Sequence, residues 1–226
     1  IIPAYREQGR IGDVVKQCLR HCPAVVVVDD GSPDDTAKEA EEAGATVVRH
    51  GVNRGKGIAL NTGFDYGKTH GFEFLVTLDA DGQHDPEEIS AFVDAYRKTG
   101  TPVLIGNRME RPDAMPLLRR LTNRYMSWLL SRKMGQRVPD TQVGYRLYRC
   151  DVIPQVPEES GRFAAESEIL MLLAENGVRI GAVPIKVIYR DEKSKINPFK
   201  DTIRFFSMLK RHDRMKQQRQ GERKET

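Results

Sequence analysis

Between Phe72 and Pro86 the chain reads Phe-Glu-Phe-Leu-Val-Thr-Leu-Asp-Ala-Asp-Gly-Gln-His-Asp-Pro, and this stretch limits the possible folds more than any other. An apolar run from Phe74 to Leu78 stops abruptly at Asp79 and Asp81, which a single alanine separates. Such a run is the pattern of a parallel strand buried on both faces. Its carboxyl end is the edge at which open α/β sheets bind ligands. Carboxylates at i and i+2 can share one divalent cation there. Pro86, Glu87 and Glu88 then open a helix running to Lys98, with Asp85 as its N-cap.

The rest of the first hundred residues repeats the alternation of strand and helix. Strands are expected at Ile1 to Ala4, Ala24 to Val28, Ala45 to Arg49 and Pro102 to Gly106. Between them, apolar positions at helical spacing run from Ile11 to about Cys22, from Pro33 to Ala43 with Ser32 as N-cap, and from the Asn53 to Gly57 segment to about Lys68. This order argues a parallel sheet with helices on both faces and right-handed crossovers. After Arg108 the pattern changes. A long helix from Leu117 to Met134, a strand near Tyr145 to Tyr148, a helix from about Ala164 to Asn176 and a strand from Arg179 to Ile188 complete the expected domain, residues 1–198. Residues 199–226 are expected to form a basic amphipathic helix, with Phe199, Ile203, Phe206 and Leu209 on one face, and a tail disordered beyond Asp213.

Composition narrows the class. At 226 residues the chain can bury a full core, and no apolar run approaches the length needed to span a bilayer. From Lys186 to Thr226 thirteen Lys and Arg stand against six Asp and Glu, so the basic charge is concentrated at the end. Three cysteines without a CxxC pair argue against a disulfide framework and for a reducing compartment. The opening Ile1-Ile2-Pro3 reads as the interior of a strand, with residues missing before it.

A second strand also ends in acids, Val25 to Val28 running into Asp29-Asp30-Gly31-Ser32. Four carboxylates at one sheet edge repel one another and call for a cation, and a phosphate-rich ligand bridged by a metal would account for both pairs. GxGxxG does not follow the first strand, and Gly55-Lys56-Gly57 lacks the P-loop spacing. A dehalogenase-type phosphatase would carry its Asp-x-Asp-Gly on the first strand, and a receiver domain would leave half the chain unexplained.

Six motifs in order carry a resemblance: Ile-Pro-Ala-Tyr-x-Glu at Ile2 to Glu7, Asp-Asp-Gly-Ser at Asp29 to Ser32, Asn-x-Gly-Lys-Gly at Asn53 to Gly57, Asp-Ala-Asp-x-Gln-His at Asp79 to His84, Gly-x-Arg at Gly106 to Arg108, and Asp-x-x-x-Gly-x-Arg at Asp140 to Arg146. Together they resemble family 2 glycosyltransferases, and within them the polyprenyl-phosphate (dolichyl-phosphate) mannose or glucose synthases, from Ile2 to about Pro198. The resemblance implies a GT-A-type α/β fold with a mostly parallel sheet. It implies that Pro3, Tyr5, Glu7 and Asp29, with Asp30 beside them, hold the base and ribose of a nucleotide-diphosphate sugar. Lys56, Ala80 and, near the diphosphate, Lys195 join that donor site. Asp79, Asp81 and Gln83 would hold Mg²⁺ or Mn²⁺, all offering the oxygen ligands these ions prefer. Glu166 and Glu168 read simply as acids suited to a helix start.

The implied reaction is attack of a lipid phosphate on the anomeric carbon with inversion. Arg108 is the candidate to stabilise the leaving diphosphate. Asp140 is expected to orient or stabilise, since a phosphate acceptor needs no strong base. Arg119, Arg120, Asn123 and Arg146 are candidates to hold the acceptor phosphate, with Arg190 a further one. Arg6 stands where Asn is commoner in the family. Peripheral contact with a membrane surface through the C-terminal helix, a cytoplasmic location and no nucleic-acid partner complete the expectation. A soluble sugar or protein acceptor, or a nucleotide-sugar-binding module without turnover, remains the alternative.

Overall fold

A computed structural model describes residues 1–110, 115–157, 165–186, 205–207 and 209–214. The strands are β1 (Ile2–Ala4), β2 (Val26–Asp29), β3 (Thr46–Arg49), β4 (Phe74–Thr77), β5 (Val103–Asn107), β6 (Arg146–Arg149) and β7 (Ile180–Pro184). The helices are α1 (Ile11–Cys18), α2 (Thr36–Glu42), α3 (Lys56–Thr69), α4 (Ile89–Thr99), α5 (Leu117–Met134) and α6 (Ala165–Glu175).

β1 to β3 pair in parallel, and β4, β6, β5 and β7 form the second group. The Ile1 nitrogen donates to the Val76 carbonyl (2.7 Å) and Leu78 N–H donates to the Ile1 carbonyl (3.2 Å), which joins the groups edge to edge. The strand order is therefore β3-β2-β1-β4-β6-β5-β7. One strand departs from the parallel expectation: β6 runs antiparallel to both β4 and β5, with Thr77 opposite Arg146 and Ile105 opposite Arg146. Arg146 thus sits between the two strands that end at Asp79 and Arg108.

Val26, Val27 and Val28 are all buried because helices cover both faces of β2. α3 lies so close to the sheet that a Cβ on Gly67 would come within 2.6 Å of the Leu75 side chain. Asp85 caps the turn before α4 as expected, accepting from Glu87 N–H at 3.1 Å. Ser32 does not cap α2, which starts at Thr36; its Oγ instead accepts from Arg6 N–H at 3.0 Å and ties the loop after β1 to the loop after β2.

Residues 205–207 and 209–214 are helical and pack on the domain. The buried face is Phe205, Leu209 and His212, against Met126 and Leu130 of α5 and Met171 of α6, while Phe206, expected on that face, is 41% exposed. Arg211 donates to Glu168 (2.6 Å) and His212 pairs with Glu175 (3.0 Å), fastening this helix to α6. Phe199, Ile203, Arg190, Lys195 and the tail after Arg214 lie outside the described residues. Among the described residues no helix is long and apolar enough to cross a membrane.

Candidate active site

The carboxyl ends of β1, β2 and β4 and the start of α3 converge on one acidic edge. After β1, Arg6 adopts φ +59°, a left-handed conformation that bulky residues enter at a cost and that Asn tolerates better. Glu7 follows, its N–H donating to Thr36 Oγ1 (2.9 Å) and its carboxylate accepting from Arg10 (3.0 Å). Asp29 is fully buried: Oδ1 accepts from Ser32 N–H (3.1 Å), and Oδ2 lies 3.2 Å from Arg49 Nε in an ion pair too poorly aligned to be a hydrogen bond. The wall beside it is a pocket of about 290 Å³ lined by Gly31, Ser32, Arg49, His50 and Gly51.

Asp30 is used differently from its neighbour. Its carboxylate accepts from Arg54 N–H (2.9 Å), Gly55 N–H (2.7 Å) and His50 Nδ1 (2.8 Å), so it holds the 50–55 loop in place. A carboxylate can only accept, so Nδ1 of His50 carries the proton in that bond. His50, whose Nε2 reaches Thr62 Oγ1 (3.0 Å), carried no motif signal. The loop so fixed delivers Lys56.

Lys56 is the electrostatic centre of the edge. Its ammonium bridges Asp79 Oδ1 and Glu166 Oε1, the latter at 2.5 Å. Burial alone would push the Lys56 amine down, but the two carboxylates hold it protonated above its usual range. Burial likewise opposes charge on Asp79, yet the Lys56 ammonium, aided by Arg108, overcomes it and holds this carboxyl at about 2. His84 accepts from Asp79 N–H through Nδ1 (3.2 Å). Burial keeps its imidazole below the usual value, against the attraction of Asp79 and Asp81. Its ring packs 5.1 Å from that of Tyr145.

Two features around Asp79 were not legible beforehand. Glu166, at the start of α6, belongs to this cluster rather than to the helix dipole alone. Gly144 forms the floor: a Cβ there would stand 2.7 Å from Glu166 Oε1 and 2.8 and 2.9 Å from the two Asp79 oxygens. Glu166 stands far from both Lys56 and Asp79 along the chain, and no local pattern in the sequence links it to them. Beyond Asp79, Asp81 is half-buried and accepts from Gln83 N–H through Oδ1 (3.0 Å).

A divalent cation fits these residues on three grounds. The donors at the β4 tip are oxygens, the Lys56 ammonium already stands as a cation against Asp79, and Gly144 leaves the Asp79 carboxylate uncrowded. Among the described residues no three His, Cys, Asp or Glu side chains converge to hold a metal by themselves.

Of three expected site residues, two pair with each other and one, Arg146, is corrected. Arg108 is buried and grips Asp140 in a two-point pair, Nε to Oδ2 at 2.7 Å and Nη2 to Oδ1 at 2.9 Å. Asp140 is fully buried with both oxygens engaged by Arg108, and Arg108 acts on Asp79 through its field. Arg146 is fully buried and donates to the carbonyls of Val143 (2.8 Å), Glu166 (2.7 Å) and Thr141 (3.0 Å) and to the Tyr148 hydroxyl (3.2 Å). It is out of reach of an acceptor and instead shapes the loop that carries Asp140 to Gly144. On α5, Asn123 is buried and Arg119 and Arg120 are half-buried. The helix meets the Asp140 loop one turn later, where Thr141 N–H donates to Ser127 Oγ (2.9 Å).

A second, apolar hollow, lined in part by Ile1, Val25, Phe72, Phe74 and Val93, lies at the amino ends of β2 and β4.

A mostly parallel sheet in this order, with acids at the tips of β2 and β4 and a single antiparallel strand behind them, defines a GT-A-type nucleotide-diphospho-sugar transferase fold. Residues 1–156 match the family model for glycosyl transferase family 2, and the chain belongs to that family. It is 31% identical over 214 residues to the UDP-N-acetylglucosamine–dolichyl-phosphate N-acetylglucosaminyltransferase of Methanococcus voltae, covering 84% of this chain and 85% of that one. It is 32% identical over 209 residues to the polyprenol monophosphomannose synthase of Mycolicibacterium smegmatis, covering 84% and 77%. Among solved structures, glucosyl-3-phosphoglycerate synthase from Mycobacterium tuberculosis, crystallised with Mn²⁺, UDP and phosphoglyceric acid, superposes with a TM-score of 0.65. That match has 18% identity and covers 85% of this chain and 70% of that one, which is a likeness of fold. The chain is a glycosyltransferase with polyprenyl-phosphate sugar transferases among its relatives.

Proposed function

We propose that the protein transfers a hexose from a nucleotide-diphosphate sugar, GDP-mannose or UDP-glucose, to a polyprenyl phosphate by direct displacement, at the cytoplasmic face of a membrane. The observation that carries this reading is the cation-centred edge at the β4 tip, where Asp79, held ionised at about 2, meets Lys56 and Glu166 over Gly144. With Asp79, Glu166 and Asp81 against one ammonium the edge stays net negative, so it suits a phosphate-rich ligand that arrives with a divalent cation.

Asp79 and Asp81, with Gln83 beside them, would hold Mg²⁺ or Mn²⁺, which when bound supplies Lewis-acid stabilisation to a departing diphosphate. The chain's own part is preorganisation. Arg108 and Lys56 keep Asp79 ionised, and neutral His84 fixes the Asp79 backbone N–H. The tie from Arg6 N–H to Ser32, with Glu7 N–H on Thr36, sets the loop of Pro3, Tyr5 and Glu7 beside Asp29. Asp29 and the Arg49 wall then offer a site for base and ribose. The nucleophile is a phosphate oxygen, ionised near neutral pH. No side chain need take a proton in the transfer, which agrees with the burial of Asp140.

The test is transfer by the purified protein, with Mg²⁺ or Mn²⁺, from each donor to a short-chain polyprenyl phosphate, read by mass spectrometry. Asp81→Ala should abolish transfer while leaving the melting curve in place. Full activity in that variant, or inorganic phosphate as the product, refutes the assignment.

A further inference from the structure

Most of the exposed large apolar side chains among the described residues lie on α5. Leu117, Leu118, Leu121, Tyr125 and Trp128 are between 52% and 75% exposed. Spaced at i, i+1, i+4, i+8 and i+11, they fall on one arc of the helix. The opposite side of α5 is occupied, since Met126 and Leu130 pack with Phe205 and Leu209. The stripe is ordered by its own contacts: the Tyr125 and Trp128 rings stack at 6.0 Å, and the Arg132 guanidinium lies 5.2 Å from the Trp128 ring centre. Over its 18 residues α5 carries Arg119, Arg120, Arg124, Arg132 and Lys133 and no acid.

We propose that this face of α5 is the surface by which the protein docks on an anionic lipid bilayer. The inference builds on the lipid-phosphate acceptor proposed above and moves the contact from the C-terminal helix, of which Phe205 and Leu209 are buried, to α5. The chemistry matches the interface in both its parts. Tyr and Trp place an apolar body in the acyl boundary with a polar edge at the headgroups, and exposed Arg pairs with anionic phosphates at the same depth. A second copy of the chain is the poorer occupant, because two-fold pairing of this stripe would oppose arginine to arginine with no acid on the helix to offset it.

Sedimentation of the purified protein with vesicles of phosphatidylcholine, with and without phosphatidylglycerol, tests this in the absence of donor, so the result stands apart from the transferase reading. The wild type should bind the anionic vesicles, and salt should weaken the binding. The double variant Leu121→Ser/Trp128→Ser should bind on the order of tenfold or more weaker. Arg132→Glu should lose the preference for anionic over neutral vesicles. The double variant should keep wild-type transfer to a water-soluble, short-chain acceptor and lose transfer to one embedded in vesicles. Absence of vesicle binding by the wild type, or equal binding by the double variant, overturns the proposal. So does a wild-type dimer by light scattering that the double variant turns into a monomer.

Discussion

Arg146 separates what the sequence suggests from what the structure does with it. An arginine in the last motif of the acceptor-side loop reads as a phosphate ligand, whereas the folded chain spends its whole fork on three carbonyls and a tyrosine hydroxyl. Arg146→Met keeps the length and removes the donors, leaving the Thr141, Val143 and Glu166 carbonyls buried without them. At about 1–3 kcal/mol for each buried acceptor left unmet, and allowing for water entering the gap, the loss should be roughly 3–6 kcal/mol. That is a large part of a typical domain's stability, and for a chain of this size it should lower Tm by roughly 10–20 °C. Arg146→Lys is the control. It keeps the charge but presents one ammonium instead of a planar fork, so it should recover less than half of the loss. Urea denaturation and thermal melting of the three proteins, alongside the KM for acceptor, decide the matter. A stability change under about 1 kcal/mol with a raised acceptor KM would refute the structural role and restore the phosphate-ligand reading.

Three further outcomes follow from the same site. Gly144→Ala places a methyl group where the Asp79 and Glu166 oxygens stand, and should cut kcat on the order of a hundredfold with at most a modest loss of stability, as activity and melting measurements will show. In the wild type, the depressed Asp79 carboxyl contributes stability that is present above the unfolded value near 4 and is lost as pH falls through about 2. Lys56→Met removes the cation and should flatten the fall in Tm between those two pH values; overlaid curves would show that Lys56 does not set the Asp79 carboxyl. Arg6→Asn relieves a left-handed backbone and should raise the denaturation midpoint by about 1 kcal/mol of stability. A lower midpoint would mean that the Arg6 guanidinium, 5.3 Å from the Tyr5 ring centre, outweighs the strain.

How much could be read in advance follows from the range of the interaction responsible. Apolar runs that stop at acids, Asp85 before a proline, and the bounds of α5 are local patterns, and the fold keeps them. Strand direction is not local. Residues at the β6 position look the same in a parallel or an antiparallel strand, and the long excursion between β5 and β6 decides which way it runs. That reversal brings Gly144 under Asp79 and sends Arg146 inward. Charged residues suffer most, because a sequence cannot show which carbonyls or carboxylates will close around them. Asp30, Arg108, Asp140 and Arg146 are all polar groups near a crevice that the fold consumes internally, while Glu166 is one that it recruits.

The C-terminal helix errs in a related way. Phe205 and Phe206 are neighbours, and each begins an apolar series at helical spacing: Phe205 with Leu209 and His212, Phe206 with Leu209 alone. Helical spacing from Phe199 and Ile203 favours Phe206, yet the buried side is the one that lets His212 reach Glu175 and Arg211 reach Glu168. Polar partners on α6 therefore outrank one exposed ring in choosing the face. With that face committed to the domain, most of the outward-facing apolar side chains among the described residues are those of the α5 stripe. A membrane contact for this protein is then a question about Trp128 and Leu121 rather than about Phe206.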